Sequence, residues 1–467
     1  MTNDRRNFIR KMGLGFAATT VAAKGLASCA EADAASNSEN LFVTDRNHPE
    51  PASMGYDRLP LEWYKQTVQR LKDKLSGIDA ILLESDKNKV YFNGCFRGSG
   101  ERTTWLLFPT AKKDTAYWYG PGIDRDLITS WWCTEFEYYF CYPHGKGGYP
   151  NKGQVVNGEQ VDLFEWMLEG LTKREMDGKT IGTDWEMSPA QLAKAKKILP
   201  NASFVNISND CLQMRIIKTP EEIALTQRAY RYFDKIHAFS RDFVLEHGTN
   251  TTDFEIGHAL QAYGIQLMMA DVKYDGKPHS AVGIESTSHY VRAGVSTAYP
   301  HPNQFFYNPV RKGEPLYINT DIRLGGMGGE GYRNYLIDPW TDQQDKIWQV
   351  VAETVQIMVE ECKPGVPCSE VAVKIHEHQV KNGMQDFIYH RPAHGAGQHI
   401  EGHQAPFISL GDHTPIEAGM MFSVEPGLYD EKNGVGINPS DSLLITDDGA
   451  VLMSRIPFSK EWSYLKL

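Results

Sequence analysis

The stretch that most restricts the fold is MMFSVEPGLYDEKNGVGINPSDSLLIT, from Met420 to Thr446. It reads as strand, turn, strand: two apolar runs punctuated by Pro-Gly and by a polar turn. Glu425 ends the first run and Asn438 lies within the second. A carboxylate placed in a buried strand needs a partner, a metal or a chemical task. Whether Glu425 and Asn438 mark a metal site is the question this stretch raises.

The chain has 467 residues, room for about two to three domains. Hydrophobic residues make up 41% and charged residues 23%, ordinary for a globular protein with a large core. The formal charge of −11 argues against a nucleic-acid footprint across the chain. Residues 1–29 are set apart. Arg5 and Arg6 are followed by Phe8 and Ile9 and then by a mild apolar stretch to about Leu26, too short to span a bilayer. This is the pattern of a twin-arginine export signal. LASC, ending at Cys29, resembles a lipoprotein cleavage box, so the expected location is periplasmic or membrane-anchored, with a lipid on Cys29 as the only membrane contact. Residues 30–58 are small and polar and read as a tether. Of the other six cysteines none forms a C-x-x-C pair; Cys362 and Cys368 either pair in an oxidising compartment or stay as thiols.

From residue 59 the periodicity predicts an α/β domain ending at 210. LEWYKQTVQRLKDKL is helical, and IDAILLES, KVYFNGCF, TTWLLFP and DTAYWYG read as strands. A helix (QVDLFEWMLEGLT), a strand (KTIGTDW) and a Ser-Pro-capped helix (SPAQLAKAKKIL) complete it. The aromatic run SWWCTEFEYYFCYPHGKGGYP reads as core or dimer packing, or as a lid over a small cation. Residues 211–467 form the second unit. Thr219 caps a long amphipathic helix with Pro220 at its first position and Glu221 and Glu222 in its first turn. A second capped helix, Gly-rich strands and another long helix follow.

In this order, the segments resemble the creatinase / aminopeptidase P / prolidase family. MRIIKTPEEIALTQRAY is similar to its inter-domain junction, HGAGQHIEGH to its His-Gly segment, FSVEPGLY to its metal-glutamate strand and GVGINPSDSLLIT to its last strand. The resemblance covers residues 59–467. It implies an α+β pita-bread catalytic domain behind a creatinase-like α/β N-terminal domain, and a homodimer. The family's peptidases hold two divalent ions through two Asp, one His and two Glu. Aligned on the quoted segments, Asn319 stands for the first Asp, Tyr335 for the second, Gln398 for the His (or His399, with one residue inserted), and Asn438 for the last Glu; Glu425 matches, and with that insertion His399 too. That leaves roughly one negative charge where four would neutralise two ions. GGMGGEGY is then a loose hairpin with five residues more than the family's spacing.

The expectation is thus a metal-independent, creatinase-type hydrolase with no cofactor, cleaving a C–N bond of a small polar substrate. His301 and His399 are the candidate acid/bases beside Glu425, which also anchors the substrate. His394, His403, Asn319, Asn438 and Tyr335 line the pocket, and Phe96, Arg97 and Arg102 reach in from a partner's N-terminal domain. His289 and Arg292, in STSHYVRAG, lie in a loop able to approach the cleft. Two alternatives remain open: an Xaa-Pro aminopeptidase or dipeptidase binding Mn or Zn through Asp321, Asp338, His399 and Glu425, and a binding protein that kept the fold without the chemistry.

Overall fold

A computed structural model describes residues 58–96, 100–150, 160–271, 285–287, 290–302, 307–396 and 402–467. The N-terminal half is built on one seven-stranded sheet in the order β5-β4-β3-β2-β1-β6-β7. Its strands are β1 (Ala80–Leu83), β2 (Trp105–Pro109), β3 (Tyr117–Pro121), β4 (Glu135–Phe140), β5 (Gly145–Lys146), β6 (Thr180–Thr183) and β7 (Ser203–Asn206). All four side chains of β1 are buried, because helices cover both faces of the sheet centre. Part of the aromatic run forms β4, where Tyr139 packs on Trp166 within this domain.

One segment departs from its expected state. KVYFN belongs to a helix, Asp86–Asn93. A short apolar run does not distinguish strand from buried helix by itself. Here tertiary contacts decide. Asp184, just beyond β6, accepts the backbone N–H groups of Glu84 (2.8 Å) and Ser85 and the Asn88 side-chain amide (2.8 Å), which anchors the entry to the helix. Gly94 closes the other end at φ +81°, where a Cβ would strike the ring of Tyr64.

The second half opens as expected. Thr219 and Glu222 form a reciprocal capping box on a helix running Pro220–His247. Trp63 Nε1 donates to Thr219 Oγ1 (3.0 Å) and Tyr91 Oη to the Met214 carbonyl (2.6 Å), so this junction also fastens the two domains together. The helix lies under the hairpin of β10 (Pro315–Leu324) and β11 (Met327–Ile337), which joins β8 (Glu285–Thr287), β9 (Arg292–Ala293) and β19 (Tyr464–Leu465) in one sheet. Gly331 allows that approach; a Cβ there would lie 2.3 Å from Phe233. A second five-stranded sheet runs β13-β12-β14-β17-β18, from β12 (Ala393–Ala396), β13 (His403–Ile408), β14 (Met421–Val424), β17 (Asp441–Thr446) and β18 (Gly449–Leu452). A small hairpin of β15 (Leu428–Asp430) and β16 (Val435–Ile437) stands beside it. The expected strand, turn, strand of Met420–Thr446 is therefore realised with this extra hairpin in its middle.

The two sheets are joined at β11 and β17. Tyr332 and Ser440 exchange both backbone hydrogen bonds at 3.0 Å. Next to them Arg333 Nη2 meets Asp441 Oδ2 at 2.8 Å, with side chains 1% and 0% exposed. Arg333 also donates to the Ser440 and Ile456 carbonyls and to Ser454 Oγ, and its guanidinium lies 3.9 Å from the Phe458 ring centre. Removing one partner of such a pair strands the other charge in the core. Arg333→Met should lower unfolding stability by about 3–5 kcal/mol. Arg333→Met combined with Asp441→Leu should recover much of that loss, read as the shift in urea midpoint.

Candidate active site

Register decides which side chains reach the cleft. Gly325 and Gly326, both at positive φ, make a two-residue turn between β10 and β11. The hairpin has regular pairing from Pro315↔Leu336 to Leu324↔Met327, so the five extra residues expected in GGMGGEGY are simply part of β11. Asn319 pairs with Tyr332 and Asp321 with Glu330. Side chains alternate along a strand. Tyr317, Asn319, Asp321, Glu330, Tyr332 and Asn334 thus share one face, while Arg333 and Tyr335 take the other.

That face meets β12 and the end of β14. His394 Nε2 lies 3.2 Å from Glu330 Oε1 and 3.5 Å from Glu425 Oε1. His403 stacks on His394 with ring centres 3.8 Å apart, and its Nε2 is 3.9 Å from Glu330 Oε1. His394 is buried and His403 exposed, so the group reaches from the interior to the cleft mouth. Glu330 is fixed from both sides: Tyr332 Oη donates to its Oε2 and Ser423 Oγ to its Oε1 (3.1 Å). His394 Nδ1 lies 3.1 Å from the Gly395 carbonyl, which it donates to, leaving Nε2 to face the carboxylates. Neither this Nε2 nor Glu425 Oε1 has a well-aligned hydrogen bond, although both are buried.

The charges are strongly linked. Burial opposes charge on His394, but Glu330 and Glu425 outweigh it and raise its pKa to about 10. Burial and the neighbouring Glu330 charge push Glu425 up to about 7. Burial also works against the Glu330 anion, yet His394 and Tyr332 hold its pKa below the usual carboxylate range. Burial and the His394 charge lower His403, which favours its neutral imidazole.

The other candidates are placed as follows. His301 is on an exposed turn, near enough to bear electrostatically on His390 and His403. Asn319 is buried and accepts the Tyr290 N–H at 2.9 Å. The backbone N–H of Asn438 donates to Asn334 Oδ1, and its own Oδ1 is buried without a partner. Tyr335 needs correction: it faces the helix layer, where its hydroxyl meets Ser240 at 2.9 Å. Asp338 lies beyond β11, accepting the Leu467 N–H at 2.9 Å, away from the cleft. Phe96 packs on Gly326 of its own chain's hairpin, and Arg102 lies 3.4 Å from Glu101. Arg97, His289, Gln398 and His399 fall outside the described residues. Cys362 and Cys368 are both buried free thiols.

Glu330 was missed by sequence reasoning. The signal was present: a Gly-Gly pair read as a two-residue turn sets Glu330 opposite Asp321 on the cleft face.

Comparison with known proteins shows what this domain is similar to. Residues 224–447 match the model of metallopeptidase family M24. The match falls within the C-terminal domain, which is thus similar to the M24 metallopeptidases. An Xaa-Pro dipeptidase of Lactobacillus helveticus is 28% identical over 295 residues, covering 62% of this chain and 74% of that one. One from Pyrococcus horikoshii is 23% identical over 380 residues, 81% of this chain and 93% of its own. The fold agrees with that of a recombinant prolidase from Thermococcus sibiricus, with a TM-score of 0.64 at 20% identity over 86% of this chain and 98% of that chain. The expected fold class, a pita-bread domain behind an α/β domain, is the one observed.

The expectation of no cofactor is overturned. It counted only Glu425 among the M24 positions and overlooked Glu330. The ligand atoms of Glu330, His394 and His403 lie within 4.8 Å of one another. One carboxylate and two imidazoles suit a single Zn or Mn ion. The supports are those of metal ligands: a histidine whose second nitrogen donates to a carbonyl, and a carboxylate held by two hydroxyls. The Nε2 of His394, facing both carboxylates without a well-aligned hydrogen bond, fits the same role. Zn or Mn should bind at about one equivalent per chain by elemental analysis. A bound ion must displace the His394 proton, so affinity should climb about tenfold per pH unit between about 7 and 10. Glu330→Gln should weaken binding by more than the roughly 10- to 100-fold cost of losing a ligand's hydrogen-bond partner.

Proposed function

We propose that the protein is a metal-dependent dipeptidase that cleaves the bond before proline in short peptides. The observation that carries this reading is the convergence of Glu330, His394, His403 and Glu425 in the cleft of an M24 domain. Relatives named Xaa-Pro dipeptidases give the substrate class. Glu330, His394 and His403 would hold the ion, which when bound supplies Lewis-acid polarisation of a carbonyl oxygen.

The chain's own groups do the rest. Glu425 offers an oxygen free of hydrogen bonds beside His394. Its carboxyl is suited to taking a proton from water and passing it to the leaving proline nitrogen. Tyr332 and Ser423 keep Glu330 from turning away from its neighbours. His403, stacked at the mouth, covers His394 on the solvent side. The Tyr317 and Tyr332 rings, 5.1 Å apart, form an apolar floor for a pyrrolidine ring.

The test is turnover of Xaa-Pro dipeptides against small guanidino compounds, with and without chelator. Dipeptide hydrolysis should disappear on chelation and return with Mn or Zn. Glu425→Gln should lower kcat by about 10²- to 10⁴-fold, the range for losing a general acid/base. Chelator-resistant turnover, or turnover of guanidino compounds alone, would overturn the reading. Export is part of the proposal, on the strength of Arg5, Arg6 and the box ending at Cys29. Replacing both arginines by lysine should keep the protein in the cytoplasmic fraction of an exporting host; unchanged fractionation would remove that element.

A further inference from the structure

The sheet that carries His394 has a second concavity on its other side. Ala393 of β12 pairs with Ile408 of β13. Both lie in the apolar core that contains Val371 and Ile375 of the helix Cys368–Lys381. His394 follows Ala393 and so takes the opposite face, toward Glu330 and Glu425. The helix therefore covers the side of the sheet turned away from the cleft. Between this helix, residues 388–392 and the turn after β13 is a cavity of about 380 Å³.

The most buried polar group on its wall is a carboxamide that lacks a partner. Gln379 lines the cavity from the last turn of the helix and is 4% exposed. Among the described residues its side chain forms no hydrogen bond. Gln344, buried to the same degree, accepts the Thr341 N–H at 2.8 Å and donates to the Gly313 carbonyl at 2.9 Å. Buried polar groups are paired as a rule, so the open donor and acceptor of Gln379 point to a partner from outside.

The rest of the cavity defines that partner. Ile375, Ile388 and Pro392 supply apolar walls, and the exposed Leu410 stands at the mouth beside Ser409. The volume falls within the range of small-molecule sites, roughly 300–1,000 Å³. Gln379 presents an acceptor and a donor side by side. A primary carboxamide meets both at once. A carboxylate would accept from Nε2 but set a second negative oxygen against Oε1. The apolar walls call for a hydrocarbon body behind the amide.

We propose that this cavity is a second small-molecule site, which takes a neutral ligand carrying a primary carboxamide on a branched or aromatic apolar body. The site needs neither a metal nor dipeptide chemistry. The test is calorimetric titration of the full chain, with chelator present, by N-acetyl-L-leucinamide. Saturable binding at one equivalent is expected. N-acetyl-L-leucine and its methyl ester, which lack the primary carboxamide, should bind about tenfold more weakly, the order set by losing a pair of neutral hydrogen bonds.

Gln379→Leu should weaken the amide probe by about tenfold and bring it level with the ester. Its melting temperature should not fall, because an apolar group of similar shape replaces an amide that has no partner to lose. Leu410→Asp, at the exposed mouth, should weaken all three probes alike. Glu425→Gln should leave probe binding unchanged. Absence of binding, equal affinity for amide and ester, or binding that Gln379→Leu does not alter would overturn the assignment. So would loss of binding in Glu425→Gln, which would put the probe in the cleft, or a marked fall in the melting temperature of Gln379→Leu.

Discussion

The buried pair of Arg333 and Asp441 holds the catalytic half in register. It sits where the β10–β11 hairpin meets the sheet of β12, β14 and β17, beside the backbone exchange between Tyr332 and Ser440. Replacing such a pair with apolar groups need not cost stability, so its value lies in specificity. A one-residue slip of β11 would turn Arg333 into the cleft and Glu330 into the helix layer. Either outcome would bury a charge without a partner. The pair on one face of β11 therefore guarantees the position of the carboxylate on the other.

The cleft depends on a related balance. Glu330 and Glu425 are brought together against their mutual repulsion, and His394 between them makes this tolerable by holding a proton. A divalent ion could take over that role, and the linked titration of the three groups is the physical expression of a site awaiting a cation. The amides at Asn319 and Asn438 limit the negative charge, which suits one ion better than two.

Local chemistry was legible where a few neighbouring residues set it. The Thr219–Pro220–Glu222 start was visible because a capping box is complete within four residues. Glu425 could be picked out because a carboxylate in an apolar strand is conspicuous. The Asp86–Asn93 segment was not legible, since the residue that anchors its start, Asp184, is distant along the chain. Tyr335 and Glu330 were exchanged for a similar reason. Motif matching along the chain gave no account of the turn, and the turn sets which residues face inward.

By itself the sequence determined most of the order of elements, the capped start of the long helix at Thr219 and the conspicuous carboxylate at Glu425. Periodicity, caps and turn residues act over a few positions and leave their mark there. The tertiary structure decided which charges meet. Glu330, His394, His403 and Glu425 come from four separate strands or strand ends, and the register set at the Gly325–Gly326 turn, beside the Arg333–Asp441 pair, makes them neighbours. Their pKa values, and their capacity to hold a metal, exist only once burial and mutual distance are fixed, because both act through space and not along the chain.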